Sequence, residues 1–278
     1  SCKGAFATPT DNWLSGYSWL ACSGKMAGST CSGIPTAPFA TLGDTVATLM
    51  GPITSSTTLD ASTTYLLSSQ VFVQSPATLT IMPGATIYAM PTSSGVSAPA
   101  LVVEKGASIN AAGTAASPIT MTTVLAESAL SSSAQAQTDT ASSSGTITLG
   151  ERGKWGGLIL LGNAPTSAAT PKEIEGITGK TYGGTDPSDG SGALRFVRVW
   201  HGGAIIGADN EINGITFGGV GSGTVVEYCE VAFNADDGFE YVCGDRSCIG
   251  ERVRLVTALW RSDGAGWIVA RAGSSAAR

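Results

Sequence analysis

From Thr63 onward, apolar and polar residues alternate in short runs: Tyr65–Leu67, Val71–Val73, Leu79–Ile81, Thr86–Tyr88, Leu101–Val103, Ser108–Asn110 and Ile119–Thr122. A period of two over a few residues, closed by turn residues, predicts strands with one buried face. Two stretches carry the pattern twice. Leu79-Thr-Ile-Met-Pro-Gly-Ala-Thr-Ile-Tyr-Ala89 is answered by Leu101-Val-Val-Glu-Lys-Gly-Ala-Ser-Ile-Asn-Ala111, with Leu79 matching Leu101 at an offset of 22. A fixed period of this length built from short strands predicts a β-solenoid whose coils bury their apolar sides by stacking. On this reading Leu79 rests under Leu101.

Later segments extend the pattern. Leu158–Leu161, bounded by glycines in Gly153-Lys-Trp-Gly-Gly-Leu-Ile-Leu-Leu-Gly162, is an uninterrupted apolar run that suits a fully buried strand. Asp237-Gly-Phe-Glu-Tyr-Val242 matches Asp263-Gly-Ala-Gly-Trp-Ile268 at an offset of 26, which places Cys229 and Val231 inward with Leu255 and Thr257 stacked on them. Residues 1–58 lack the alternation and carry three cysteines among Gly, Ser and Pro. They read as an irregular, disulfide-bearing N-terminal cap. Residues 59–278 read as the solenoid, with surface insertions near 125–145 and 163–192. Insertions in such folds project from one face, often a binding face.

Composition narrows the partners. Only 13% of residues are charged, and the net charge of −6 with pI near 4.8 leaves no basic footprint for nucleic acid. No apolar run is long enough to span a membrane. The six cysteines, Cys2, Cys22, Cys31, Cys229, Cys243 and Cys248, lack the spacing of a zinc site and read as disulfides of an oxidising compartment. Cys22/Cys31 and Cys243/Cys248 are the nearest pairs; sequence alone leaves the connectivity open. The start at Ser1-Cys2 suggests removal of a signal segment, so a secreted, extracellular or cell-surface address is expected. No Asn-x-Ser/Thr acceptor occurs, so any glycan would sit on Ser or Thr.

Thr63–Val124, Gly153–Thr166, Tyr182–Trp200 and Glu211–Val242 resemble secreted right-handed parallel β-helix proteins of bacteria and algae. The residues carrying the likeness are Leu79-Thr-Ile-x-Pro-Gly84, Gly153–Gly162, Asn213-Gly-Ile-Thr-Phe-Gly-Gly-Val-Gly221 and Asp236-Asp-Gly-Phe-Glu240. The resemblance implies an all-β, right-handed parallel β-helix and an extracellular address, but no reaction.

Candidate chemistry is sparse. His201 is the only histidine, so paired-histidine metal sites are excluded and a catalytic role would rest on general acid–base work. Asp236, Asp237 and Glu240 suggest paired carboxylates of glycoside hydrolysis. Polygalacturonase-like enzymes, however, place a Gly-His-Gly after their Asp-Asp, whereas here His201-Gly-Gly precedes it. Arg195 and Arg198, three apart, are expected on opposite sides of a strand. No cofactor is required. A structural calcium ion at Asp236, Asp237, Glu240 and Asp263 competes with turns in which Asp bonds its own backbone, and Asp186-Pro-Ser-Asp189 invites the same two readings. Tyr228, Tyr241, Trp260 and Trp267 read either as layer-filling residues or as a sugar platform. The final coil, with Trp267, Ile268 and Val269, presents an apolar layer suited to self-assembly. The reading is therefore a non-enzymatic, rod-like extracellular subunit of a surface layer, sheath or filament, such as a flagellar hair or cell-wall coat, whose partners are copies of itself end to end. Alternatives are a β-helix that binds or cleaves a surface polysaccharide, and an adhesin passenger.

Overall fold

The computed structural model describes residues 46–91, 97–123, 152–167, 171–207, 210–242 and 253–255. They contain strands and no helix, wound into a parallel β-helix. The strands in chain order are β1 (Val46–Leu49), β2 (Thr57–Leu59), β3 (Thr64–Leu67), β4 (Gln70–Val73), β5 (Thr78–Ile81), β6 (Thr86–Ala89), β7 (Ala100–Val103), β8 (Ser108–Ala112) and β9 (Ile119–Thr123). They continue as β10 (Leu158–Leu161), β11 (Lys172–Glu173), β12 (Thr181–Tyr182), β13 (Gly192–Arg195), β14 (Val197–Trp200), β15 (Ile205–Gly207), β16 (Asn210–Glu211), β17 (Ile215–Gly218), β18 (Val225–Ala232), β19 (Phe239–Val242) and β20 (Val253–Leu255).

Three walls emerge from the pairing. Wall I stacks β1, β3, β6, β9, β14 and the end of β18; wall II stacks β4, β7, β10, β17 and β19, with Ile53 bridging to Val73 before them; wall III stacks β2, β5, β8, β13, the start of β18 and β20. The chain visits the walls in the order I, II, III and repeats, giving six coils among the described residues. Strand pairing already begins at Val46, so the boundary expected at residue 58 falls inside the helix.

The alternation explains the interior. In β3, β4, β5 and β6 every second residue is buried. Inward positions stack in register: Tyr65, Ile87, Met121, Val199 and Val231 on wall I, and Val73, Val103, Leu160, Phe217 and Tyr241 on wall II. The last pair stacks face to face, with centroids 4.9 Å apart. A fully buried leucine or valine of this kind stabilises the fold by about 1.5–3 kcal/mol.

The repeat read from sequence is real as a motif but out of phase as a coil. Leu79 pairs with Ile109, and Leu101 pairs with Val71. The coil there is 30 residues long, as the Thr78–Ser108 pair shows. The offset of 22 holds one coil earlier, where Thr64 meets Thr86. The two similar stretches are strand–turn–strand units at different corners, β5 to β6 joining walls III and I, and β7 to β8 joining walls II and III. Both turns use a glycine in the left-handed region, Gly84 at φ 84° and Gly106 at φ 78°. Local turn chemistry repeats, while extra residues between β6 and β7 lengthen the coil. The later offset of 26 is met at Cys229, which pairs with Leu255 across a bulge.

The expected insertion at 163–192 does not leave a face open. Ile174, Ile177 and Tyr182, carried on and beside the β11–β12 hairpin, pack with Ile212 onto the outward residues Ala100, Val102, Ile159 and Leu161 of wall II. That is why β7 and β10 are buried on both sides and read as continuous apolar runs. Lys180 fastens the hairpin, 2.7 Å from Glu104 and over the ring of Phe72.

Candidate functional site on the outer side of wall I

Wall I differs outside. Its outward rank runs Thr64, Thr86, Thr120, Arg198, Glu230 in register. Beside it stand Leu66, Tyr88 and Thr122. Arg198 is 5% exposed and Glu230 fully buried. Burying these charges needs compensating contacts. Arg198 donates from Nε and Nη2 to Thr120 Oγ1 at 3.1 and 2.6 Å and lies 4.9 Å from the Trp200 ring. Trp200 Nε1 donates to Glu230 Oε1 at 3.0 Å. Above this floor a cleft of about 270 Å³ is lined by Thr86, Tyr88, Ser117, Pro118, Thr120 and Arg198 among others. Burial pushes the Tyr88 phenol up, with the Arg198 charge pulling the other way, so the hydroxyl stays protonated at neutral pH.

At the end of β14 the chain turns through His201 at φ 63°. His201 is wholly buried, its ring stacked on Phe233 at 5.0 Å and its Nδ1 2.8 Å from Thr122 Oγ1. Burial first, and Lys154 second, lower its pKa to about 3. The ring is neutral and out of reach of any polymer substrate.

A family model for the pectate-lyase-like beta helix domain matches residues 51–134 and 140–248. The chain belongs to this family. None of the curated proteins and none of the solved structures compared matches it.

Within this β-helix domain, the sequence-derived sites fare unequally. Glu240 lies half-buried in β19, accepting from Asn213 Nδ2 at 2.9 Å and Thr216 Oγ1 at 3.2 Å. Burial raises its pKa; those two hydrogen bonds lower it, and Glu175 and Asp236 raise it again. The side chains of Asp236 and Asp237 are exposed, while their backbone carbonyls accept from Asn234 Nδ2. Among the described residues no three Asp, Glu, His or Cys gather as metal ligands, and the expected calcium set of Asp236, Asp237, Glu240 and Asp263 is described only for its first three members. Asp263 lies outside the described residues. Asp186 takes the turn reading, with Oδ1 accepting from the Ser188 backbone at 2.9 Å and hydroxyl at 2.6 Å.

Cys229 departs from the disulfide expectation. It is a free thiol, fully buried, and burial pushes its pKa up to about 12. Its inward position and its strand register with Leu255 are as the repeat requires; a linear sequence does not separate a core thiol from half of a disulfide. Cys2, Cys22, Cys31, Cys243 and Cys248 lie outside the described residues, as do Trp260, Trp267, Ile268 and Val269.

The β-helix also brings together residues whose proximity the sequence conceals. Arg195 and Arg198 both face outward, because they sit on different strands. Phe196 at φ 47° forms the corner between β13 and β14 and resets the alternation. Arg195 pairs with Glu227 on wall III at 2.8 Å, while Arg198 reaches Thr120 on wall I. Tyr228 at φ 56° repeats the corner one coil on and stacks on Phe196 at 4.6 Å. Tyr241 fills an interior layer rather than a platform. Arg198 and Thr120 are separated by 78 residues, so only the coil register joins them.

Proposed function

We propose that this chain is a non-enzymatic, extracellular β-helical rod serving as a subunit of a surface layer, sheath or filament. The observation that carries this reading is where the reactive types of side chain sit. His201 is a neutral link in a buried stack, Glu230 is held by Trp200, and Arg198 is fastened to Thr120. These groups hold coils together. A long parallel ladder whose outward charged residues are engaged between neighbouring coils suits a mechanical element, and end-to-end association of copies extends it. In such a rod a structural calcium ion at Asp236, Asp237, Glu240 and Asp263 would brace the turns between coils. The reading is tested by light scattering and electron microscopy of concentrated protein. Rods or filaments longer than one molecule support it; compact monomers at every concentration overturn it.

A second reading, a β-helix acting on or binding surface polysaccharide, is favoured by the wall I cleft and by the family. A polysaccharide turnover screen addresses cleavage.

A further inference from the structure

We propose that the cleft on wall I binds an uncharged sugar ring of a surface polysaccharide, with Tyr88 as its apolar face. This deepens the second reading and is independent of self-assembly. At about 270 Å³ the cleft is smaller than the ~300–1,000 Å³ pockets that enclose drug-sized ligands, and suits one ring of a chain whose neighbours stay in water. Its lining matches the two chemistries of a pyranose. The half-buried Tyr88 ring and Pro118 offer surfaces for the C–H side, and hydroxyls of Thr86, Ser117 and Thr120 meet the ring hydroxyls. Tyr88 adds a protonated phenol.

The electrostatics favour a neutral ligand. Arg198 is the charged residue of the lining, but its Nε and Nη2 are directed at Thr120, and Glu230 stands opposite it in register. The guanidinium thus acts as part of the floor and sets Thr120, rather than presenting a fork to a carboxylate. Thr86, Tyr88, Thr120 and Arg198 are carried on β6, β9 and β14, and the adjacent Ser117–Pro118 turn leads into β9, so the cleft is preformed.

The test is calorimetric titration of the whole chain with neutral oligosaccharides (xylan-, glucan- and mannan-derived) and with oligouronates. Binding of at least one neutral series is expected. Tyr88→Ala should weaken it by about tenfold or more. Ser117→Trp, placed on a surface turn outside the core, should block the cleft without disturbing the fold, and it carries the test if Tyr88→Ala fails to fold. Absence of binding, binding unchanged in Ser117→Trp, or oligouronates binding tighter than their neutral counterparts would each overturn the proposal. Light scattering on the same samples keeps the assembly reading separate, since a chain can form rods with no affinity for sugar.

Discussion

Walls I and II share one alternation, one stacking rule and one interior, yet face opposite fates outside. Wall II points Val102, Ile159 and Leu161 outward and acquires a second apolar layer from the β11–β12 hairpin. Wall I points Thr120, Arg198, Glu230 and Trp200 outward and buries them as a polar network joined by hydrogen bonds. In a solenoid the inward residues define the fold, while the outward residues decide what each wall can meet. An apolar outer rank recruits the chain's own insertion; a polar one leaves a cleft.

The largest test of this contrast is at the entrance to wall II. Gly157 has φ 76°, and a Cβ there would stand 2.4 Å from the Gly214 carbonyl oxygen and 2.5 Å from that of Asn213. Backbone cannot step aside as a side-chain tip does, so Gly157→Ala should cost about 4 kcal/mol or more by urea unfolding. Retained stability would show that the coils can part at wall II.

At the exit from wall I the test is pH. The folded pKa of His201, about 3, lies below its ordinary 6.5. Between these values the unfolded chain binds a proton that the folded chain refuses. The His201 contribution is therefore complete above pH 6.5 and is lost as pH falls toward 3, on the order of 5 kcal/mol in all. His201→Asn, which tolerates the left-handed corner, should flatten that part of the urea-midpoint profile. An unchanged profile would mean that His201 is hydrated in solution.

Smaller effects separate the walls further. Thr120→Val removes the acceptor of two Arg198 donors in a buried setting and should cost about 1–3 kcal/mol. A neutral outcome would show the network to be replaceable. Least costly is Gly179→Ala in the hairpin over wall II. Its φ is 76°, but a Cβ there meets nothing within 4 Å, so only the backbone preference of about 1–2 kcal/mol is lost. The difference between Gly157 and Gly179, equal in φ, isolates the contribution of coil-to-coil contact.

The strands, their inward residues and the corner glycines were legible in the sequence, because alternation and left-handed turns are local properties of neighbouring residues. Thus Tyr65, Leu67, Val71, Leu79 and Ile81 are buried as their pattern requires, and Leu158–Leu161 is buried on both sides. The candidate site was not legible. Alternation counted across Phe196 put Arg195 and Arg198 on opposite sides, while the corner turned both outward. Coil length also escaped the pattern: similar turns at different corners gave a period of 22 where stacking required 30.

The sequence by itself determined that this chain winds into a parallel β-helix, since each short strand has one apolar side and each corner a residue able to turn. Only the tertiary structure decided which strand lies on which, that the 163–192 excursion closes wall II, and that Tyr88, Thr120 and Arg198 meet. The reason is physical. Strand formation depends on neighbours in the chain, whereas register depends on the lengths of loops that carry no pattern of their own.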